Sequence, residues 1–365
     1  MTETERTIRA AVKRAQAETY LLISLAAFAG SVILTRLFLD LAGYPQVGNS
    51  VLHIAHALWG GLLLMVAAIL PLLLANRWAL MLSALFSGLG VGLFIDEIGK
   101  FITQKNDYFF PPAAPLVYAI FLLLVLVLLF VRRRGDTDPR AEMYRALSNL
   151  GELLDNNLDT RELEELLEHL EAARQADQPH VAGLATVLQT YLRETELSLL
   201  PARPNLWKRF RAALEQWGKR IGRRPHRIAI VVAMAVLSLG MVMAIVLPLL
   251  TIVAPDTAGQ RLVTWLVTRD DVQTAGSRFW FYLRIALQGV VGSIALVSIY
   301  FFVRSREREG IQAAFMALLV SLSGVILLSF YLDQFSAAAT ALVQLGVLIL
   351  VQAYRRWYLQ PAPTL

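Results

Sequence analysis

Eight charge-poor apolar stretches, four before residue 132 and four after residue 227, leave this chain few folds to choose from. Their lengths match the about 20 helical residues that cross the roughly 30 Å hydrocarbon layer of a bilayer. A water-soluble core has no need of runs that long. A membrane span does, because it must be apolar along its length and hydrogen-bond every backbone amide within its own segment. The spans are predicted at 19–42, 51–75, 79–99, 113–131, 228–253, 280–303, 311–332 and 337–354. The expected fold is an all-α polytopic membrane protein with eight transmembrane helices in two four-helix halves, 19–131 and 228–354. A helical insert, 132–227, separates the halves; 1–18 precedes the first span and 355–365 forms a tail.

Charge placement supports the same picture and sets its direction. Only 17% of the residues are charged, and they gather between the apolar runs. The net charge of +6 would suggest nucleic acid in a soluble protein. Here the basic residues flank spans, where they report topology and contact with anionic lipid, and no nucleic-acid partner is expected. Arg6, Arg9, Lys13, Arg14, Arg77, Arg132 to Arg134, Arg223, Arg224, Arg227, Arg304, Arg306, Arg308, Arg355 and Arg356 fall on one side. Lys100, Lys105, Arg261, Arg269 and Arg278 fall on the other. The positive-inside rule then puts both termini and the insert in the cytoplasm of a bacterial-type inner membrane. The first stretch, from Tyr20, is too long for a signal-peptide core and is read as a retained span. With no cysteine in the chain, disulfides, thiolate nucleophiles and cysteine-ligated metal centres are excluded.

A weak internal likeness links the two halves. The second spans share Ala-Leu-x-Gly, at Ala57 to Gly60 and Ala286 to Gly289, and the third spans share Ser-Gly, at Ser87-Gly88 and Ser323-Gly324, followed by Asp96 and Asp333. Gly88, Gly90 and Gly92 predict close helix packing rather than a nucleotide loop, since they lie inside a span.

The insert reads as soluble helix. Stripes are predicted at Leu147, Leu150, Leu153 and Leu154, at Leu163, Leu166, Leu167 and Leu170 after an N-cap at Asp159 or Thr160, and at Val181, Leu184, Val187, Leu188, Tyr191 and Leu192 after a turn at Pro179. Residues 141–200 hold twelve acids and four arginines, a net of −8, so segment 138–200 is expected to avoid the lipid surface and to suit a cytoplasmic protein partner. The sign then reverses. In 205–222, Trp207, Phe210, Leu214, Trp217 and Ile221 recur at three and four residues among basic ones, the pattern of an interfacial helix on the cytoplasmic leaflet, held by anionic lipid.

Chemistry is sought in the ionisable groups placed at membrane depth. His53 and His56 open the second span, and the antiparallel third span ends in Asp96 and Glu97, at the same predicted outer depth. Two imidazoles and one or two carboxylates suit a divalent metal such as zinc, with His53, His56, Asp96 and Asp40 as ligands and Glu97 or Asp96 as catalytic base. Without a metal, the same groups make a proton-accepting cluster. Arg284 lies a turn inside the sixth span, where a guanidinium needs a partner. Asp333 is the expected structural ion pair, and Arg284 with Arg278 could instead hold an anionic head group.

Three function classes follow. The first is an extracytoplasmic-side metal-binding or catalytic site acting on lipid or envelope substrates. The second is an ion or small-solute transporter, which the apolar midplanes of spans 2 to 5 disfavour. The third is a membrane-anchored interaction or signalling protein using the acidic insert.

Overall fold

The computed structural model describes residues 11–42, 55–105, 107, 110–132, 138–195, 197, 199–200, 222–253, 275–333 and 337–359. Among them the only regular secondary structure is helical. Seven helices are long and apolar enough to span a membrane: those within Ala17–Leu39, His56–Leu73, Arg77–Asp96, Ala113–Arg132, Phe279–Val303, Glu307–Leu332 and Ala337–Leu359. The protein is an all-α polytopic membrane protein. The remaining expected span, 228–253, falls within the 31-residue helix Arg223–Val253, many of whose later side chains lie outside the described residues. The count and two-half arrangement therefore stand as expectations beyond those seven helices.

In chain order the helices are α1 (Ala17–Ala42), α2 (His56–Leu73), α3 (Arg77–Asp96), the short α4 (Ile98–Ile102), α5 (Ala113–Arg132), α6 (Pro139–Leu154), α7 (Thr160–Ala173) and α8 (Pro179–Glu194). There follow α9 (Arg223–Val253), α10 (Ala275–Val303), α11 (Glu307–Val320), α12 (Ile326–Asp333) and α13 (Ala337–Tyr354). Two compact units divide the chain: Met1–Ile98 with Phe121–Asn205, and Gly99–Ile120 with Leu206–Leu365.

In the first unit α3 packs against both α1 and α2, and its glycines explain how. Gly88 and Gly92, four residues apart, face α1: a Cβ on Gly88 would overlap the Ser24 carbonyl, and one on Gly92 would overlap the Ser31 hydroxyl. Gly90 faces α2, where a Cβ would stand 2.8 Å from the Gly60 carbonyl oxygen, and Gly60 meets Gly90 in the same way. Small residues let backbones approach where the hydrophobic effect does not drive helices together. Two hydroxyls join helices further, Ser24 Oγ donating to the Ala84 carbonyl at 2.8 Å and Ser83 Oγ to the Ala67 carbonyl at 2.7 Å.

Among its described residues, segment 138–195 of the insert is a three-helix bundle. Asp138 caps α6 ahead of Pro139, and Asp159 caps α7 through a reciprocal capping box with Glu162, which settles the N-cap on Asp159 rather than Thr160. Pro179 starts α8. Its core holds Met143, Ala146, Leu166, Leu170, Ala173, Val181, Ala185 and Leu192. The buried faces differ from the leucine stripes in two helices. Leu147 and Leu154 are exposed while Met143 and Ala146 face inward, and Leu184, Val187 and Tyr191 are exposed while Val181, Ala185 and Leu192 face inward. Apolar residues on a wide arc left the choice of face open, and the positions of the neighbouring helices decided it.

The second unit packs on larger side chains: Ile230, Met234, Val291, Phe302, Ile311, Leu318 and Tyr354 share one buried cluster. Between α11 and α12 the helix widens to π geometry at Ser321–Val325, and Tyr118 Oη donates to the Leu322 carbonyl there at 2.8 Å. A π-turn leaves carbonyls that need such a partner.

Candidate functional site

The end of α3 gathers four ionisable groups of the first unit, Arg36, His56, Asp96 and Glu97. Asp96 is the last residue of α3, and Glu97, at φ −90° and ψ 9°, turns the chain out of the helix. Both are fully buried. Across from them, α2 begins at His56 after Ala55, whose side chain offers no cap. Glu97 supplies that cap from another helix: the Ala57 backbone N–H donates to Glu97 Oε2 at 2.9 Å. A carboxylate is favoured there by the positive end of the helix dipole.

His56 lies between the two acids. Its Nε2 is 3.2 Å from Asp96 Oδ2, and its Nδ1 is 3.8 Å from Glu97 Oε1. The other oxygen of Asp96 belongs to α1: Arg36 Nε donates to Asp96 Oδ1 at 2.6 Å, and Arg36 Nη2 donates to the Asp96 backbone carbonyl at 3.1 Å. Arg36 is itself 8% exposed. A guanidinium held by two bonds to one buried residue satisfies a charge that could not otherwise stay at this depth. The group thus ties α1, α2 and α3 together through Arg36, His56, Asp96 and Glu97.

The expected meeting of His56, Asp96 and Glu97 is present. His53 and the side chain of Asp40, two of the four expected ligands, lie outside the described residues. Among the described residues, no group of three histidine, aspartate or glutamate side chains is arranged to hold a metal ion. Asp96 has Arg36 as its counter-ion. Sequence reading missed Arg36. A signal was there, a lone cation inside an apolar run one and a half turns from the end of the first span, and such a residue demands a partner.

The opposite end of α3 faces the insert. Arg77, its first residue, donates to Glu162 Oε1 at 3.0 Å, lies 4.0 Å from Glu152 and donates from Nε to Gln16 Oε1 at 2.8 Å. Asn76 Nδ2 donates to Asp155 at 2.8 Å. With 20 residues, α3 is about 30 Å long, the thickness of the hydrocarbon layer. One helix therefore carries the buried cluster at one end and the docking point of the acidic bundle at the other.

In the second unit, Arg284 stacks its guanidinium 5.5 Å from the centroid of Phe281. The side chains of Arg278 and Asp333 lie outside the described residues, as does the whole of Trp207, Phe210, Leu214, Trp217 and Ile221, so neither the Arg284–Asp333 pair nor the interfacial helix is described. Another polar group, absent from the sequence reading, sits where α9, α11 and α13 meet. Glu307 accepts from Arg223 Nη2 at 2.8 Å, from Arg227 Nη1 at 3.3 Å and from Tyr354 Oη at 2.7 Å. Next to it, the buried His226 ring places Nε2 3.0 Å from the Leu350 carbonyl and its edge against Tyr354, Trp357 and Tyr358.

No protein-family model, curated protein or solved structure matches this chain.

Proposed function

We propose that this multi-pass membrane protein is proton-responsive, with His56 taking up and releasing a proton between Asp96 and Glu97 and the insert carrying the change to the cytoplasmic side. One observation supports this above the others: each ring nitrogen of His56 faces a fully buried carboxylate, and one of those carboxylates already has its counter-ion in Arg36. Two carboxylates, one at hydrogen-bonding distance and one at ion-pair distance, suit a ring that can carry hydrogen on both nitrogens. Histidine is the side chain whose charge changes between about pH 5 and 8, and buried clusters of histidine and carboxylate mark proton-handling sites in membrane proteins. Losing the proton removes one positive charge from beside two buried carboxylates where three helices meet, a change that favours a different arrangement of those helices. α3 links the cluster to Arg77 and thence to Glu152, Glu162 and the bundle.

A metal-dependent enzyme acting on lipid or envelope material has less support, because the described carboxylates are already engaged by Arg36, His56 and the Ala57 N–H. Transport has less support too, since the cluster lies at helix ends rather than at a broken midplane.

The test is hydrogen exchange on the full chain in lipid nanodiscs between about pH 5 and pH 8, corrected for intrinsic exchange. Protection at 55–60, 94–98 and 160–166 is expected to fall as pH rises in the wild type and to be independent of pH in His56→Gln. An identical pH response in the two proteins would reject the reading.

A further inference from the structure

We infer that a groove between α11 and α13 holds one acyl chain of an anionic phospholipid, with Arg355 receiving the phosphate. The groove is a cavity of about 280 Å³. Its apolar walls are Ile311, Phe315, Met316 and Val351, and its polar lining is Gln312, Gln352 and Arg355. Ile311 and Val351 are buried and make the floor, whereas Met316 is half exposed and Gln312, Gln352 and Arg355 are exposed. The charge of Arg355 stands at the helix end, and Phe315 and Met316 lie about a turn further along α11 than Ile311 and Gln312, an order that suits a lipid. In a membrane-spanning helix pair, such an apolar surface is covered by lipid tails unless protein covers it.

Charge selects the head group. The described residues at this end of the unit are eight arginines (Arg223, Arg224, Arg227, Arg304, Arg306, Arg308, Arg355 and Arg356) against two glutamates, Glu307 and Glu309. Both glutamates are taken: Glu307 by Arg223, Arg227 and Tyr354, and Glu309 by Arg306. The field at the mouth is positive. A guanidinium there matches a phosphodiester, and the two exposed amides supply donors to its ester and glycerol oxygens. Zwitterionic lipid would fit the walls but gain less from the field. This inference does not depend on the proton-responsive reading, whose residues are in the other unit.

The full chain, purified in detergent, is to be examined by native mass spectrometry with phosphatidylglycerol or phosphatidylcholine added. The wild type is expected to retain one phosphatidylglycerol about fivefold better than phosphatidylcholine. Arg355→Gln should lose that preference, Arg224→Gln should keep it, and Met316→Trp, which fills the groove from an exposed position, should lose retention of both lipids. Soluble glycerol phosphate in excess should displace nothing. A preference that survives Arg355→Gln, unchanged retention in Met316→Trp, or displacement by glycerol phosphate would overturn the inference. So would a lipid-free dimer that Met316→Trp dissociates, which would assign the groove to a second copy of the chain.

Discussion

The membrane helices of the two units solve one packing problem in opposite ways. In the first unit, glycines at 60, 88, 90 and 92 bring α1, α2 and α3 into backbone contact, and the charged side chains at the end of α3 are sealed from solvent. In the second, large side chains such as Met234, Phe302 and Tyr354 separate the helices, a groove opens between α11 and α13, and the arginines beside Glu307 reach water. The shared Ala-Leu-x-Gly shows the difference most directly. Gly60 is pressed against Gly90, while a Cβ at Gly289 would meet nothing within 4 Å. Likewise Gly88 is closed by Ser24, whereas Gly324 finds only the tip of Leu287 at 3.4 Å. Like sequence at like positions does not carry like packing here. Backbone contact excludes lipid and water, so charges trapped beside it must satisfy one another; looser packing lets them be solvated.

That contrast breaks most readily at the buried charges. Asp96→Ala removes a buried carboxylate that accepts from Arg36 and faces His56 and is expected to cost about 3–5 kcal/mol, whereas Glu307→Ala, whose arginine partners are 55% and 39% exposed, should cost about 1 kcal/mol. Thermal unfolding of the two variants in one detergent measures the difference, and equal losses would show that depth does not separate the two clusters.

Glycine packing gives the next effect. Gly88→Ala forces a methyl group into the Ser24 backbone and should destabilise by about 1–3 kcal/mol, while Gly289→Ala has open space and should be neutral or slightly stabilising through its helix propensity. Comparable losses in both would mean that the glycines do not distinguish the units.

The smallest effect concerns an exposed charge of the insert. A side-chain hydrogen bond from Gln189, assisted by Arg174, holds the Glu171 carboxyl below its ordinary value of 4.5. A carboxylate with a lowered folded value contributes stability above 4.5, and that contribution disappears as pH falls through the folded value. Because Glu171 is fully exposed, the slope should be slight. Protection of 160–194 in the full chain should decline a little more steeply below 4.5 in the wild type than in Glu171→Gln. Matching slopes would remove Glu171 from the account.

What the residues declared on their own was set by short-range rules. Bilayer thickness and backbone satisfaction fixed the length and polarity of each span, and an N-cap at Asp159 or Thr160 and the turn at Pro179 marked where two bundle helices begin. The depth match of His56 with Asp96 and Glu97 was legible for the same reason, since antiparallel spans of equal length bring their tips to one level. Tertiary structure alone decided which face each helix buries, as Leu147 and Leu184 show by pointing outward, and which partner each charge takes, as Arg36 shows by claiming Asp96 from sixty residues away. Those choices depend on azimuth and on the distance between helices. Neither is written in a linear pattern, because each is a property of two segments at once.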